Sequence, residues 1–276
     1  MNLYSRRRWR NRCGIGLSMA AMAFGLLALT WIIWTLLSNG LSALRVELFV
    51  QDTPAPGSEG GLRNAIVGSL LIVGVSTLIA TPIGILAGIY LAEFGSQSRL
   101  ASVTRLVVDI MLSAPSIVIG LFVYALAVAT VGSFSGWAGS LALALIAMPV
   151  VVRTTENMLR LVPGSLREAA FALGAPHWQV SLRVSLRAVR AGVLTGVLLA
   201  VARVTGETAP LLFTALNNQF FSLDLSQPMG NLPVVIYQFA LSPYDSWVRL
   251  AWGGALLIAL LVLTISIGAR WLFKKS

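Results

Sequence analysis

From Gly14 to Leu37 the chain runs for 24 residues without a charged side chain. About 20 consecutive apolar residues cross the hydrocarbon core of a bilayer as a helix. In that core the backbone N–H and C=O groups must be satisfied within the protein, which leaves helices and closed barrels as the spanning structures. Comparable apolar runs recur at Asn64 to Ala92, Leu106 to Val131, Trp137 to Val152, Ala191 to Leu216 and Val248 to Trp271. The sequence therefore predicts an all-α integral membrane protein with six transmembrane helices. The composition agrees, because 57% of residues are hydrophobic and 11% charged, against roughly 25% charged in soluble domains. The first run is also too long for the apolar stretch of a signal peptide, about 7 to 15 residues, so it reads as a retained helix.

Charge placement orients the spans. If the first helix starts in the cytoplasm, 16 of the 20 basic residues fall on that side: Arg6, Arg7, Arg8, Arg10, Arg12, Arg99, Arg105, Arg153, Arg160, Arg167, Arg183, Arg187, Arg190, Arg270, Lys274 and Lys275. Arg45, Arg63 and Arg249 lie outside, and Arg203 lies within a span. The positive-inside rule then puts both termini in the cytoplasm. The net charge of +10 follows from topology, and no nucleic-acid partner is needed to explain it. The organisation reads as residues 1–63, a basic segment with the first helix and an external loop, followed by a five-helix core at 64–276. The second long external segment, Asn217 to Trp247, holds an apolar piece, Leu232 to Leu241, too short to span; it is expected along the surface or over the external mouth.

Several chemistries are excluded. Cys13 is the single cysteine and His177 the single histidine, so no thiolate or imidazole metal cluster can be built from this chain. The only lysines are the two at the C-terminus, so a G-x-x-x-x-G-K-[ST] nucleotide-binding loop is absent. The chain does not hydrolyse ATP by itself and needs no cofactor of its own.

The cytoplasmic loop 153–190 carries helix punctuation. Ser165 and Glu168 are spaced as a capping box, Gly174 suits a left-handed C-terminal cap, and Pro176 stops continuation. About eight residues of helix are expected, too few to hold in water without a packing partner. Ala169, Ala170 and Ala172 leave room for close approach by that partner.

Glu168-Ala169-Ala170, then Gly174, then Val184-x-Leu186 resembles the EAA loop of ABC-importer permeases, with Val184 in place of isoleucine and Arg187 in place of proline. Ser113 to Leu121, Arg153 to Asn157 and Ala202 to Thr214 are similar to the PstA-type permease subunits of phosphate importers, and the likeness extends from about residue 62 to the C-terminus. The resemblance implies a type I ABC-importer permease fold in which Glu168, Ala169, Ala170 and Gly174 form a coupling helix seated in the ATPase. It also implies the partners: two ABC ATPases that bind ATP and Mg, a related second permease, an extracytoplasmic phosphate-binding protein, and a bacterial inner membrane around them.

Arg203 and Glu207 stand four apart in the fifth run, on one face if the helix is continuous. Arg203 would sit about 18 Å from the helix start, near mid-bilayer, where a charge costs roughly 2.5 to 3.5 kcal/mol. Two readings stand. In one, Arg203 meets the oxygens of a passing phosphate and Glu207 neutralises it when the path is empty; the resemblance implies such a role for the arginine. In the other, the two form a pair that holds the subunit or its interface together. Asp109 is expected in the first turn of the third span, complementing the helix dipole. Gly84-x3-Gly88 and Gly192-x3-Gly196 are expected to pack helices within the subunit. A permease for another oxyanion or small polar solute, and an ion-coupled secondary transporter, are the alternative functions.

The topology has a direct check. Cysteines placed at Ser58 and Asp224 in a Cys13-free background are expected to react with an impermeant thiol reagent from outside intact cells. Labelling of either only after the membrane is breached contradicts the orientation.

Overall fold

The computed structural model describes residues 3–95 and 98–273; Lys274 and Lys275 lie outside them. Regular structure among the described residues is helical throughout. Four helices are long and apolar enough to cross a membrane, and two bent helix pairs bring the number to six if each pair is one span.

Helix α1, Leu3–Ala43, is a single helix of 41 residues, about 60 Å at 1.5 Å per residue. That is roughly twice the hydrocarbon thickness. The basic segment therefore continues the apolar run as a helix instead of forming a separate tail. The described side chains from Leu3 to Trp34 are exposed, and only the far end is packed, where a Cβ on Gly40 would lie 2.8 Å from Leu256 Cβ.

The core is built on two helices, α2 (Arg63–Phe94), whose last turn Tyr90–Phe94 is π-helical, and α5 (Gly136–Arg160). They touch through glycines. A Cβ on Gly84 would come 2.8 Å from Val151 Cβ, and one on Gly88 2.6 Å from Thr155 Cβ. Ile72, Ala80, Leu143, Ala144, Ala147 and Val151 are buried in the cluster around this contact. The expected intrasubunit role of the glycine pair is thus what the fold displays.

Between these helices lie α3 (Arg99–Ser113) and α4 (Ser116–Val131), which meet at 107°. The run Leu106 to Val131 is not one continuous span. Ala114 is extended, at φ −67° and ψ 136°, because proline at 115 disfavours the helical region for the residue before it. Asp109 is not in a first turn, because α3 begins at Arg99 and not at Leu106; it is the eleventh of fifteen residues and pairs with Arg153 of α5. Leu100, Val103, Leu106, Val107 and Ile110 point outward from α3, so much of its apolar surface is external, as suits a helix bordered by lipid, while Ala101, Arg105 and Val108 meet the protein.

After α5 come the short helix α6 (Gly164–Ala172), α7 (His177–Ala188) and α8 (Arg190–Thr205), the last two meeting at 74°. Gly192 and Gly196 place α8 directly against Met158 and Thr154 of α5. The fifth run also ends early. It breaks after Thr205 and resumes as the single turn α9 (Ala209–Leu212), which carries Pro210 in its first two positions; proline has no N–H and its ring clashes with the carbonyl four residues back. The apolar piece of the second external segment forms α10 (Leu232–Ala240). It does not lie on the surface. Leu232, Val235 and Phe239 are buried against Leu62, Ala65 and Ala251, the last from the closing helix α11 (Asp245–Phe273). Asn231 caps α10 by accepting from Val234 N–H at 3.2 Å, and Ser69 of α2 accepts from Leu232 N–H at 2.8 Å.

At one end of the α2–α5 pair sits a buried carboxylate. Glu156 is 1% exposed and accepts from Arg105 at 2.8 Å, Arg160 at 2.6 Å and Arg153 at 3.3 Å. Arg105 also donates to the Leu91 carbonyl at 2.8 Å, so one cluster fastens α3, α5 and the π-helical end of α2. Breaking a buried pair from one side costs about 3–5 kcal/mol, and the lower end applies because the arginines reach solvent. Glu156→Ala is therefore expected to lower the thermal stability of the purified protein well below that of Glu156→Gln, which keeps an acceptor. Equal melting behaviour of wild type and Glu156→Ala would remove the cluster from the fold's supports.

Candidate functional site

The break after α8 gives Arg203 a position that the apolar run does not reveal. Arg203 is in the last turn of α8, about 20 Å from the helix start by its rise. Glu207 falls beyond the cap residue Gly206, off the helix. The two do not share a helical face, since no face continues. They remain near each other, with Arg203 Nε 3.9 Å from Glu207 Oε1, at 45% and 18% exposure. A guanidinium at a helix C-terminus faces the negative end of the macrodipole, so the local backbone offsets part of the cost of its charge.

The break is braced from two sides. A Cβ on Gly120 of α4 would come 2.6 Å from Pro210 Cα, and one on Gly139 of α5 2.9 Å from Ala215 Cβ. Non-helical backbone at membrane depth is tolerated where protein buries it or where it lines a watered cavity; α4 and α5 cover the segment at Pro210 and Ala215, while Gly206 is exposed. The arrangement leaves Arg203 half-exposed at the edge of a supported break, with a nearby carboxylate that pairs with it only loosely. Chemically, this is a fixed cation whose donor fork can turn to an anion.

Two cavities occur elsewhere. One, of about 240 Å³, is apolar and is lined by Phe49, Leu70, Val73, Val201, Leu257 and Leu261 among others; the second, of about 410 Å³, lies between the turn after α1 and the start of α11 and includes Arg45, Glu59 and Arg249. Arg203 lines neither. No group of acidic, histidine and cysteine side chains capable of holding a metal ion occurs among the described residues.

The loop 153–190 gives a second site. Helix α6 buries none of its residues, and Glu168, Ala169 and Gly174 are exposed while Ala170 is half-buried. Leu166, Phe171, Leu173, Trp178 and Leu182 add exposed apolar surface beside them. The C-terminus closes as a Schellman motif. Gly174 has φ +81°, its N–H donates to Phe171 O at 2.9 Å, and Ala175 N–H donates to Ala170 O at 3.2 Å. The N-terminal capping box does not form: Pro163 occupies the cap, and no side chain bonds there. A helix with one good cap and no buried face needs a partner to stay ordered.

Sequence reasoning missed two groups. The pairing of Glu156 with Arg153 and Arg160 was visible as three- and four-residue spacing, whereas Arg105 is 51 residues away. Arg167, which lies 3.0 Å from Glu93, had no local signal.

Comparison with known proteins gives consistent likenesses. Residues 84–275 match the family described as binding-protein-dependent transport system inner membrane component. The chain is 59% identical over 270 residues to the phosphate transport system permease protein PstA of Pasteurella multocida, covering 98% of this chain and 96% of that one. It is 58% identical to the protein of the same name from Haemophilus influenzae, over the same shares of both chains. Among solved structures, a chain of the inward-facing MetNI methionine ABC transporter superposes with a TM-score of 0.64 at 22% identity, over 76% of this chain and 94% of that one. A chain of a bacterial alginate ABC transporter in complex with an alginate pentasaccharide-bound periplasmic protein gives 0.65 at 14% identity, over 100% and 98%. At such identities the likeness concerns the fold.

Proposed function

The chain belongs to the binding-protein-dependent transport system inner membrane components, and from that membership we propose that it is one membrane subunit of an ATP-driven phosphate importer, supplying half of the translocation path. It is a permease subunit and not an enzyme; hydrolysis belongs to a separate ATPase. The observation that carries the reading is Arg203, a half-exposed guanidinium at a braced helix break, in a chain 59% identical to a phosphate permease.

Phosphate enters against an interior-negative potential of about 2.3 kcal/mol per charge per 100 mV. An open arginine-lined path would leak it outward. The path therefore stays closed until energy arrives, and α6, with its unburied surface, is the element suited to receive it from ATPases that bind ATP and Mg. An extracytoplasmic phosphate-binding protein delivers the anion, and a related second permease completes the path on the open side of Arg203. Both termini face the cytoplasm, with the protein in a bacterial inner membrane.

In this reading Arg203 holds the anion through its planar fork, and Glu207 takes over the charge when the anion leaves; the long 3.9 Å contact suits a partner that must release. Arg203→Gln is expected to abolish phosphate uptake by about 100-fold or more, in line with losing a charge-assisted bidentate contact, while the complex assembles normally. Arg203→Lys should retain partial uptake. Uptake and amount of intact complex are measured together. Normal uptake by well-assembled Arg203→Gln contradicts the path assignment, and loss of assembly in both Arg203→Gln and Glu207→Gln favours a purely structural pair.

A further inference from the structure

Helix α6 is attached to the rest of the protein in an unusual way. None of its residues is buried, so apolar packing contributes little to holding it. What reaches inward is Arg167. Its Nη2 donates to the Leu159 carbonyl at 2.8 Å, its Nη1 to the Val162 carbonyl at 3.4 Å and its Nε to Ser185 Oγ at 3.3 Å. The same Nη2 lies 3.0 Å from Glu93 Oε1, a charge contact outside hydrogen-bond alignment. Leu159 is in the last turn of α5 and Val162 just beyond it, Ser185 is in the π-helical part of α7, and Glu93 is in the π-helical end of α2.

One guanidinium therefore joins α6 to three other elements. Two of its acceptors are backbone carbonyls, Leu159 in the last turn of α5 and Val162 just past it, so the attachment is to the main chain rather than to mobile side-chain tips. Three of these anchoring residues, Leu159, Val162 and Ser185, are buried, and Glu93 is nearly so. Helices α2 and α5, gripped at the same end, are packed together through Gly84 and Gly88, and α8 is packed on α5 through Gly192 and Gly196. A displacement of Arg167 is thus applied to the same packed helices that carry α8, whose last turn holds Arg203. The π-helical segments at Glu93 and Ser185 are where the helical ladder is irregular, and such segments occur often at functional positions.

We propose that Arg167 is the positioning residue that transmits movement of α6 into the membrane core, with Glu93 as its counter-charge on α2. The proposal rests on the reading of α6 as the ATPase-coupling helix. Glu168, Ala169, Ala170 and Gly174 meet the partner; Arg167, on the same helix, holds the core.

The test uses the assembled complex with its ATPases, second permease and binding protein in lipid. In the first measurement, spin labels at Ser165→Cys on α6 and Phe94→Cys at the end of α2, in a Cys13→Ala background, report the distance between the helices with and without ATP. The wild-type background is expected to show one narrow distance in both states, because the two move as one. Adding Arg167→Gln should broaden it and make it nucleotide-dependent. A wild-type distance that changes with ATP overturns the proposal, as does an unchanged narrow distance in Arg167→Gln.

This readout does not depend on what is transported, so it separates the proposal from the phosphate reading. In the second measurement, ATP hydrolysis and inorganic phosphate uptake are followed together. Arg167→Gln is expected to keep hydrolysis while uptake per ATP falls about tenfold, within the usual range for a coupling between sites. Glu93→Gln should fall less in the same direction, and Arg167→Lys should recover part of the loss. Hydrolysis and uptake falling in proportion would make Arg167 a structural residue only and overturn the proposal. If Arg167→Gln does not assemble, the same ratio is read from Glu93→Gln and Arg167→Lys, and a wild-type ratio in both counts against it.

Discussion

Glu156 sits with 1% exposure among Arg105, Arg153 and Arg160, and the layout of the subunit follows from where that carboxylate is fixed. A buried anion without partners would be too costly to keep, so three cations from two helices must converge on it. Convergence sets α3 against α5, and Arg105, by also donating to the Leu91 carbonyl, sets the end of α2 as well. Arg153 extends the cluster to Asp109. The chain leaves this cluster within a few residues to form α6, so the element exposed to a partner is rooted next to the most strongly fixed point of the core.

The second constraint is the pair of helix breaks. An unbroken helix has no free backbone groups to offer and no reason to stop at mid-membrane depth. Pro115 and the Gly206 to Pro210 segment stop two apolar runs, and Gly120 lets α4 press on the second break. Arg203 then occupies a C-terminal turn where the helix field favours a cation. The cost of the intramembrane charge is reduced by geometry, and the loose contact with Glu207 leaves the guanidinium available. Tight packing of α2, α5 and α8 through glycines supplies the stiffness that lets a distant helix act on that position.

Much of this was legible in the sequence, for reasons that differ by feature. Apolar runs located the helices able to cross a membrane, four alone and six if each bent pair is one span, because lipid imposes length and polarity directly. Gly174 was legible because a left-handed residue after a short helix has few alternatives to glycine. The breaks were not, although Pro115 and Pro210 were in view: the residues around them are apolar, and an apolar window does not register a turn of 107°. Asp109 was misplaced because the apolar run starts at Leu106 while the helix starts at Arg99, and a wrong helix start shifts every position counted from it. The Ser165 and Glu168 spacing failed because Pro163 took the cap. Arg167 and Glu93 were out of reach, being 74 residues apart and joined only by tertiary packing.

As the membrane subunit of a phosphate importer, the chain depends on energy delivered by a separate ATPase. The most direct measurement is phosphate accumulation in proteoliposomes holding the complete complex, with ATP, binding protein and ion gradients varied independently. Accumulation against a gradient that requires both ATP and the binding protein, and that is indifferent to an imposed proton or sodium gradient, is the predicted result. Phosphate uptake driven by an ion gradient in the absence of nucleotide would contradict it.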